Sequence, residues 1–324
     1  MKEIETMYGV LKGVSGESYY ENGILKECVI NKSCCLNTGY GELIPKYNYD
    51  EARDKYRNTI SFYPSGELRS IYLDERKKVE TAAGCIQAEL LTFYENGTIH
   101  RLFPLYGQIN GYWSEEEEMM LLENAKIDLN FCNINNKISC YCFYSSGKLK
   151  SLTLYKDEWV QVITKSGTFF SKQGISLYES GALETLEPAF PIELATDYGI
   201  FTAFNNKAIG IHGDANSVKF DEQGKIKSFL TIASGVKATD KAGTQIEILP
   251  KLKQSLLDMD EYVMEPISLS LSDAEVRVID SDQKKYEFTD DIYQITAIAN
   301  KDYAINANCS DCSHCNGCNS MTVA

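Results

Sequence analysis

Cys309, Cys312, Cys315 and Cys318 form a Cys-x-x-Cys-x-x-Cys-x-x-Cys run near the C-terminus, filled by Ser310, Asp311, Ser313, His314, Asn316 and Gly317. Thiolates at this spacing converge on a soft metal ion, and small polar fillers let backbone N–H groups turn toward the sulfurs. Structural zinc sites join two Cys-x-x-Cys knuckles across a longer loop, so that four sulfurs reach tetrahedral corners. Here the knuckles overlap. The expectation is a metal-binding tail, with reactive or unstructured thiols as the alternative. His314 is expected to support the sulfurs rather than to ligate.

The first three of these cysteines resemble the bacterial ferredoxin run, which implies an iron–sulfur role for Cys309, Cys312 and Cys315. That pattern has three residues and then a cysteine followed by proline, whereas Cys318 comes after two residues and precedes Asn319, so the resemblance does not extend to Cys318. A second constellation lies in Gly210–Ser217, where His212, one of three histidines in the chain, stands beside Asp214 and Asn216. These groups could orient a substrate or ion, but Gly, Asp, Asn and Ser are also ordinary turn residues. No nucleophile elbow, phosphate loop, dinucleotide-binding glycine motif or His-Glu-x-x-His helix occurs. Ser145 and Lys148 have bare Ser-x-x-Lys spacing but sit in a repeated hairpin turn. The vicinal pair Cys34–Cys35, and Cys140 with Cys142 on one strand face, read as buried thiols.

The elements that carry these residues are repetitive. Tyr19–Gly23, Phe62–Gly66, Phe93–Gly97, Phe143–Gly147, Leu177–Gly181 and Phe220–Gly224 share one pattern, Tyr-x-x-Gly in the first five and Asp221 in place of the tyrosine in the sixth. Two residues beyond each glycine stands Leu25, Leu68, Ile99, Leu149, Leu183 or Ile226. Five beyond stands Cys28, Ile71, Leu102, Leu152, Leu186 or Phe229. Apolar residues at both positions in every copy predict one shared buried face. Alternation such as Leu91-Thr92-Phe93 has the period of half-buried strands. Asn-Gly at 22–23 and 96–97 predicts type I′ hairpin turns, and the repeated Tyr and Phe are read as core. A weaker glycine recurs half a unit later at Gly41, Gly84, Gly167 and Gly199, each three residues after a threonine, so the unit is about two hairpins.

The Phe-Tyr-x-x-Gly-x-Leu core resembles the variant form of membrane occupation and recognition nexus (MORN) repeats, over roughly residues 17–235. The resemblance implies an all-β, non-enzymatic binding or scaffolding sheet that engages proteins or lipid headgroups. The repeats here span 31 to 50 residues between successive glycines, longer than the compact family repeat.

Between the third and fourth repeats, Leu105–Trp113 leads into Ser114-Glu115-Glu116-Glu117, a capping box that predicts a helix over about 115–124. This insertion is read as a cap over a sheet edge or as a partner-facing loop, with Tyr112 and Trp113 as its candidate binding residues. After the repeats, Ile248–Tyr262 reads as an amphipathic helix and Ser268–Phe288 as a hairpin turning at Asp280–Gln283. The expected organisation is a hairpin repeat domain over 1–247, a helix-plus-hairpin closing segment over 248–303, and the cysteine-rich tail over 304–324. Its fold class is an antiparallel meander or solenoid-like sheet with one or two short helices.

Hydrophobic residues at 44% and charged residues at 24% suit a folded chain. A net charge of -14 without clustered Lys and Arg argues against nucleic acid as a partner. No apolar run reaches membrane-span length, and no signal-peptide core follows Lys2, Glu3 and Glu5. Eleven cysteines then point to a reducing, cytoplasmic setting. The functional expectation is a protein-interaction scaffold whose four-cysteine metal or iron–sulfur tail docks to a redox or radical enzyme. The alternatives are an enzyme that uses the His212/Asp214 loop and an antitoxin- or immunity-like binder.

Overall fold

The computed structural model describes residues 2–49, 52–53, 57–207, 213–255 and 262–303; His212 and the four tail cysteines lie outside them. The described chain is antiparallel strands joined by tight hairpins, with a short helix at Glu115–Met120 and one helical turn at 301–303. It divides into two compact units. The first comprises the described residues up to Ala189 with 213–216 and 222–224, and the second comprises 190–207, Ser217–Asp221 and the described residues from Lys225 onward.

In the first unit, alternation along each strand gives the sheet two distinct faces. Cys28, Ile60, Ile71, Leu91, Leu102, Tyr141, Leu152, Ile175 and Leu186 stand in register across nine strands. All nine are buried. One residue along, and so on the opposite face, runs an unbroken row of Ser18, Glu27, Ser61, Ser70, Thr92, Arg101, Cys142, Ser151, Ser176 and Thr185. An apolar row beside a polar row fixes the register, because a one-residue slip would exchange them.

The six expected turns form, and every residue two and five places after their glycines is buried. Their type differs from the sequence expectation. In the turn Tyr94–Gly97, the Gly97 amide donates to the Tyr94 carbonyl at 2.9 Å and the Tyr94 amide donates to Thr98 at 2.8 Å. Only the last residue of the four has positive φ, +81° at Gly97, while Asn96 does not. This is a type I turn closed by a glycine bulge, not type I′. The Asn96 side chain instead accepts from the Thr98 amide at 3.1 Å and donates to the Ser145 carbonyl at 3.1 Å, roles that need no left-handed backbone. Asp240–Gly243 and Asp280–Gln283 close in the same way, with Gln283 at φ +64° in the glycine position.

The repeated aromatics divide their labour. Phe62, Phe93 and Phe143 are buried, whereas Tyr19 at the first repeat is exposed. The tyrosine that follows is half-buried, and its hydroxyl reaches the next repeat. Tyr20 donates to the Phe62 carbonyl at 3.0 Å, Tyr63 to Phe93 at 2.7 Å, Tyr94 to Phe143 at 2.9 Å and Tyr144 to Leu177 at 2.8 Å. These tyrosines couple adjacent repeats rather than fill a core.

The half-unit turns are two-residue loops whose threonine caps them. Thr38 Oγ1 donates to the Gly41 carbonyl and accepts from the Tyr40 amide, and Thr81, Thr164 and Thr196 do the same for their turns. Thr6–Gly9 is a fifth copy, outside the sequence pattern above.

In the second unit, the helix expected over Ile248–Tyr262 is replaced by strands Gln245–Ile248, Lys251–Gln254 and Tyr262–Glu265, with 256–261 outside the described residues. Gln245–Ile248 pairs with Ser234–Asp240, and Pro250, which lacks an N–H, separates it from Lys251–Gln254. Lys251–Gln254 pairs with Tyr262–Glu265, so this part of the segment read as an amphipathic helix is paired strand. The hairpin turning at Asp280–Gln283 is present, and Ile267–Leu271 adds a third strand to it.

Candidate interaction groove

The insertion after the third repeat folds over the polar face of the first unit. Asn110 shapes its loop, with Oδ1 accepting from the Tyr112 amide at 2.7 Å and the Trp113 amide at 3.1 Å. The helix Glu115–Met120 starts at the capping box that the sequence predicts: Ser114 Oγ accepts from the Glu117 amide at 3.2 Å, and Glu117 Oε2 accepts from the Ser114 amide at 2.8 Å. At its other end Lys137 Nζ donates to the Met119 carbonyl at 2.9 Å and Arg76 to the Leu121 carbonyl at 2.9 Å, cations placed where the helix dipole is negative.

A buried ion cluster holds the insertion down. Arg53 makes two bonds to Glu89, at 2.6 and 2.7 Å, and two to Glu118, at 2.7 and 2.8 Å. Glu118 also accepts from Trp113 Nε1 at 2.7 Å and the Gly107 amide at 2.8 Å. Burial alone would raise the Glu118 pKa, but Arg53 and Trp113 outweigh it and hold the carboxyl below its usual range. Burial likewise works against the Arg53 charge, and hydrogen bonds to the two glutamates more than reverse that. Beside the cluster the Arg57 guanidinium lies 4.1 Å from the Tyr106 ring centroid and 4.8 Å from that of Tyr72.

Between insertion and sheet is a groove of about 570 Å³. Its floor includes Thr92, Arg101, Phe103 and Cys140, and its wall Tyr106, Ile109, Glu118 and Leu122. Arg101 pairs with Asp214, which also accepts from the Ser151 hydroxyl. Burial would raise the Asp214 pKa, but the Ser151 hydrogen bond and the Arg101 charge lower it below the usual carboxylate range. Burial pushes the Cys140 thiol up to about 12, and Arg101 only partly opposes this. The groove therefore presents a protonated thiol at Cys140 and, at Glu118, a carboxylate committed to Arg53.

The structure distributes the sequence candidates unequally. Asp214 and Asn216 belong to a segment pressed onto the sheet: the Gly213 amide donates to Thr153 Oγ1 at 2.7 Å, and Asn216 Nδ2 donates to Thr185 Oγ1 at 2.7 Å. A Cβ on Gly213 would lie 2.1 Å from the Leu152 carbonyl oxygen, so only glycine permits this approach. Trp113 is anchored to Glu118, while Tyr112, at 84% exposure, faces solvent. Ile109 and Met120 of the same insertion are also exposed, at 50% and 76%. Cys34, Cys140 and Cys142 are buried and Cys35 is exposed. Sequence reasoning missed Arg53, Glu89 and Arg101. Arg101 did carry a signal, being the arginine at a repeat position where other copies have Glu27, Ser70, Ser151, Thr185 and Ser228. Arg53 and Glu89 lie outside any pattern.

One flank of the groove is the hairpin that carries Cys140 and Cys142, with its turn at Tyr144–Gly147. Residues 139–157 match the MORN repeat variant. The match covers this one hairpin, and the apolar and polar rows of the sheet continue on both sides of it. No curated protein matches the chain. Among the described residues no helix is long and apolar enough to cross a membrane, and no cluster of three metal-ligating side chains occurs.

Proposed function

We propose that this protein is a non-catalytic protein-interaction scaffold whose MORN-like sheet presents the 105–124 insertion to a protein partner. The observation that carries the reading is the exposed trio Ile109, Tyr112 and Met120, standing on an insertion fixed from below by the Arg53–Glu89–Glu118 cluster. A rigid mount beneath exposed apolar side chains lowers the ordering cost of binding. The MORN repeat variant at 139–157 supports the same reading, and the acidity of the chain favours a basic protein surface as the partner.

The test is a photo-crosslinking residue installed at position 112 and, as a control, at position 21 in a repeat turn. Crosslinking in source cells is expected to yield one defined protein from position 112 and not from position 21. Crosslinks at 21 alone would overturn the assignment of the surface.

The scaffold also carries its C-terminal tail as a metal site in this reading, on the spacing of Cys309, Cys312, Cys315 and Cys318 alone. Iron with acid-labile sulfide in anaerobically purified protein would support a cluster and a redox or radical enzyme as the cytoplasmic partner. About one zinc per chain would remove electron transfer, because zinc has no redox chemistry. Metal retained after deletion of 305–324 would refute the tail as its site.

A further inference from the structure

The half-unit turns place a tyrosine just before their glycine at Tyr8, Tyr40 and Tyr198, but a short residue at Ala83 and Ser166. What the tyrosines do is consistent where adjacent repeats receive them. The Tyr8 hydroxyl accepts from the Leu68 amide at 3.2 Å, and the Tyr40 hydroxyl accepts from the Ile99 amide at 3.0 Å. Leu68 and Ile99 are both the second residue after a repeat glycine, Gly66 and Gly97. Tyr40 also packs on the repeat phenylalanine Phe93, with ring centroids 5.9 Å apart. By the same register Ala83 faces the amide of Leu149, two residues after Gly147.

Alanine is too short to reach it, and a cavity of about 450 Å³ opens there, walled by Ala83, Ile127, Lys148, Leu149, Leu177 and Gly181. Its size is within the range of small-ligand sites. Ile127, Leu149 and Leu177 supply aliphatic surface for a ring beside the polar Lys126, Asp128, Asn130 and Glu179, and Leu149 carries the backbone donor that two other repeats present to a phenol. We infer that this cavity receives a tyrosine side chain of a partner polypeptide, whose hydroxyl accepts from the Leu149 amide as Tyr8 and Tyr40 do for their own repeats. The tyrosine's belonging to a partner rests on the scaffold reading, whereas the capacity of the cavity for a phenol does not. The cavity is a second contact point, distinct from the groove under the insertion.

The experiment uses p-cresol, the tyrosine side-chain analogue, and toluene, which lacks the hydroxyl, titrated into the full chain labelled with ¹³C at leucine methyls and ¹⁵N at amides. p-Cresol is expected to shift the Leu149 and Leu177 methyls and the Leu149 amide, to bind at least tenfold more tightly than toluene, and to lose at least tenfold in affinity in Ala83→Tyr. Ala83→Leu, which fills the space without a hydroxyl, gives the same loss should the tyrosine variant fold poorly. An acetylated, amidated Gly-Tyr-Gly peptide is expected to move the same signals. Three outcomes would overturn the inference: no shift with p-cresol, equal binding of toluene, or unchanged p-cresol binding in both filled variants. Shifts with p-cresol but none with the peptide would overturn the polypeptide as the source. None of these results bears on crosslinking at position 112, so failure of this inference and failure of the scaffold reading are separable.

Discussion

At the residue scale, Glu118 is the junction of the insertion, joining Arg53, Trp113 and a loop amide beneath the exposed trio. Removing one partner of a buried ion pair leaves the other uncompensated, and Glu118→Gln is expected to lower stability by about 3 kcal/mol in urea titrations at pH 7. The sign with pH follows from the lowered carboxyl pKa. Its stabilising contribution is complete above the ordinary value of 4.5 and is lost as the pH falls through the folded value. The gap between wild type and variant should therefore close in acid, and a gap unchanged at pH 3 would contradict the assignment. The repeat tyrosines make a gentler test. Tyr94→Phe deletes one hydroxyl bond to Phe143 and should cost about 1 kcal/mol, while Phe93→Ala empties a core position and should cost about 4 kcal/mol. Equal losses would mean that both aromatics are core, as sequence alone suggests.

At the scale of elements, the hairpins were legible because two short-range rules coincide in them: a period of two along the strands and a residue of positive φ at the turn. The capping box of Glu115–Met120 was legible for the same reason, as it depends on Ser114 and Glu117 alone. The strand at Lys251–Gln254 was not, since nothing within its four residues separates strand from helix until its pairing with Tyr262–Glu265 is known. Nor was the role of Asp214, whose partners Arg101 and Ser151 are far away in sequence. Gly97→Val places a β-branched residue at φ +81° and should cost about 1–3 kcal/mol, measured by thermal unfolding. Gly213→Ala acts differently: the Leu152 carbonyl must give way, so the segment 213–216 should lift from the sheet. Faster hydrogen exchange at the Gly213 amide would report this, and unchanged protection would show that the contact is dispensable.

At the scale of the molecule, the rows of the first unit explain how repeats of unequal length build one continuous surface. Insertions lengthen the connections while the residues in register keep their types, so Leu105–Asn124 can be added between two repeats, over the polar face, without disturbing the apolar row on the other. In the scaffold reading this addition is the contact surface for a protein partner. Its most direct test is quantitative affinity purification from source cells with wild type and with the Ile109→Ser, Met120→Ser variant, whose changes are confined to exposed side chains. A partner is expected in near-stoichiometric amount with wild type and reduced at least tenfold with a variant of unchanged melting temperature. The same partner recovered equally by both would contradict it.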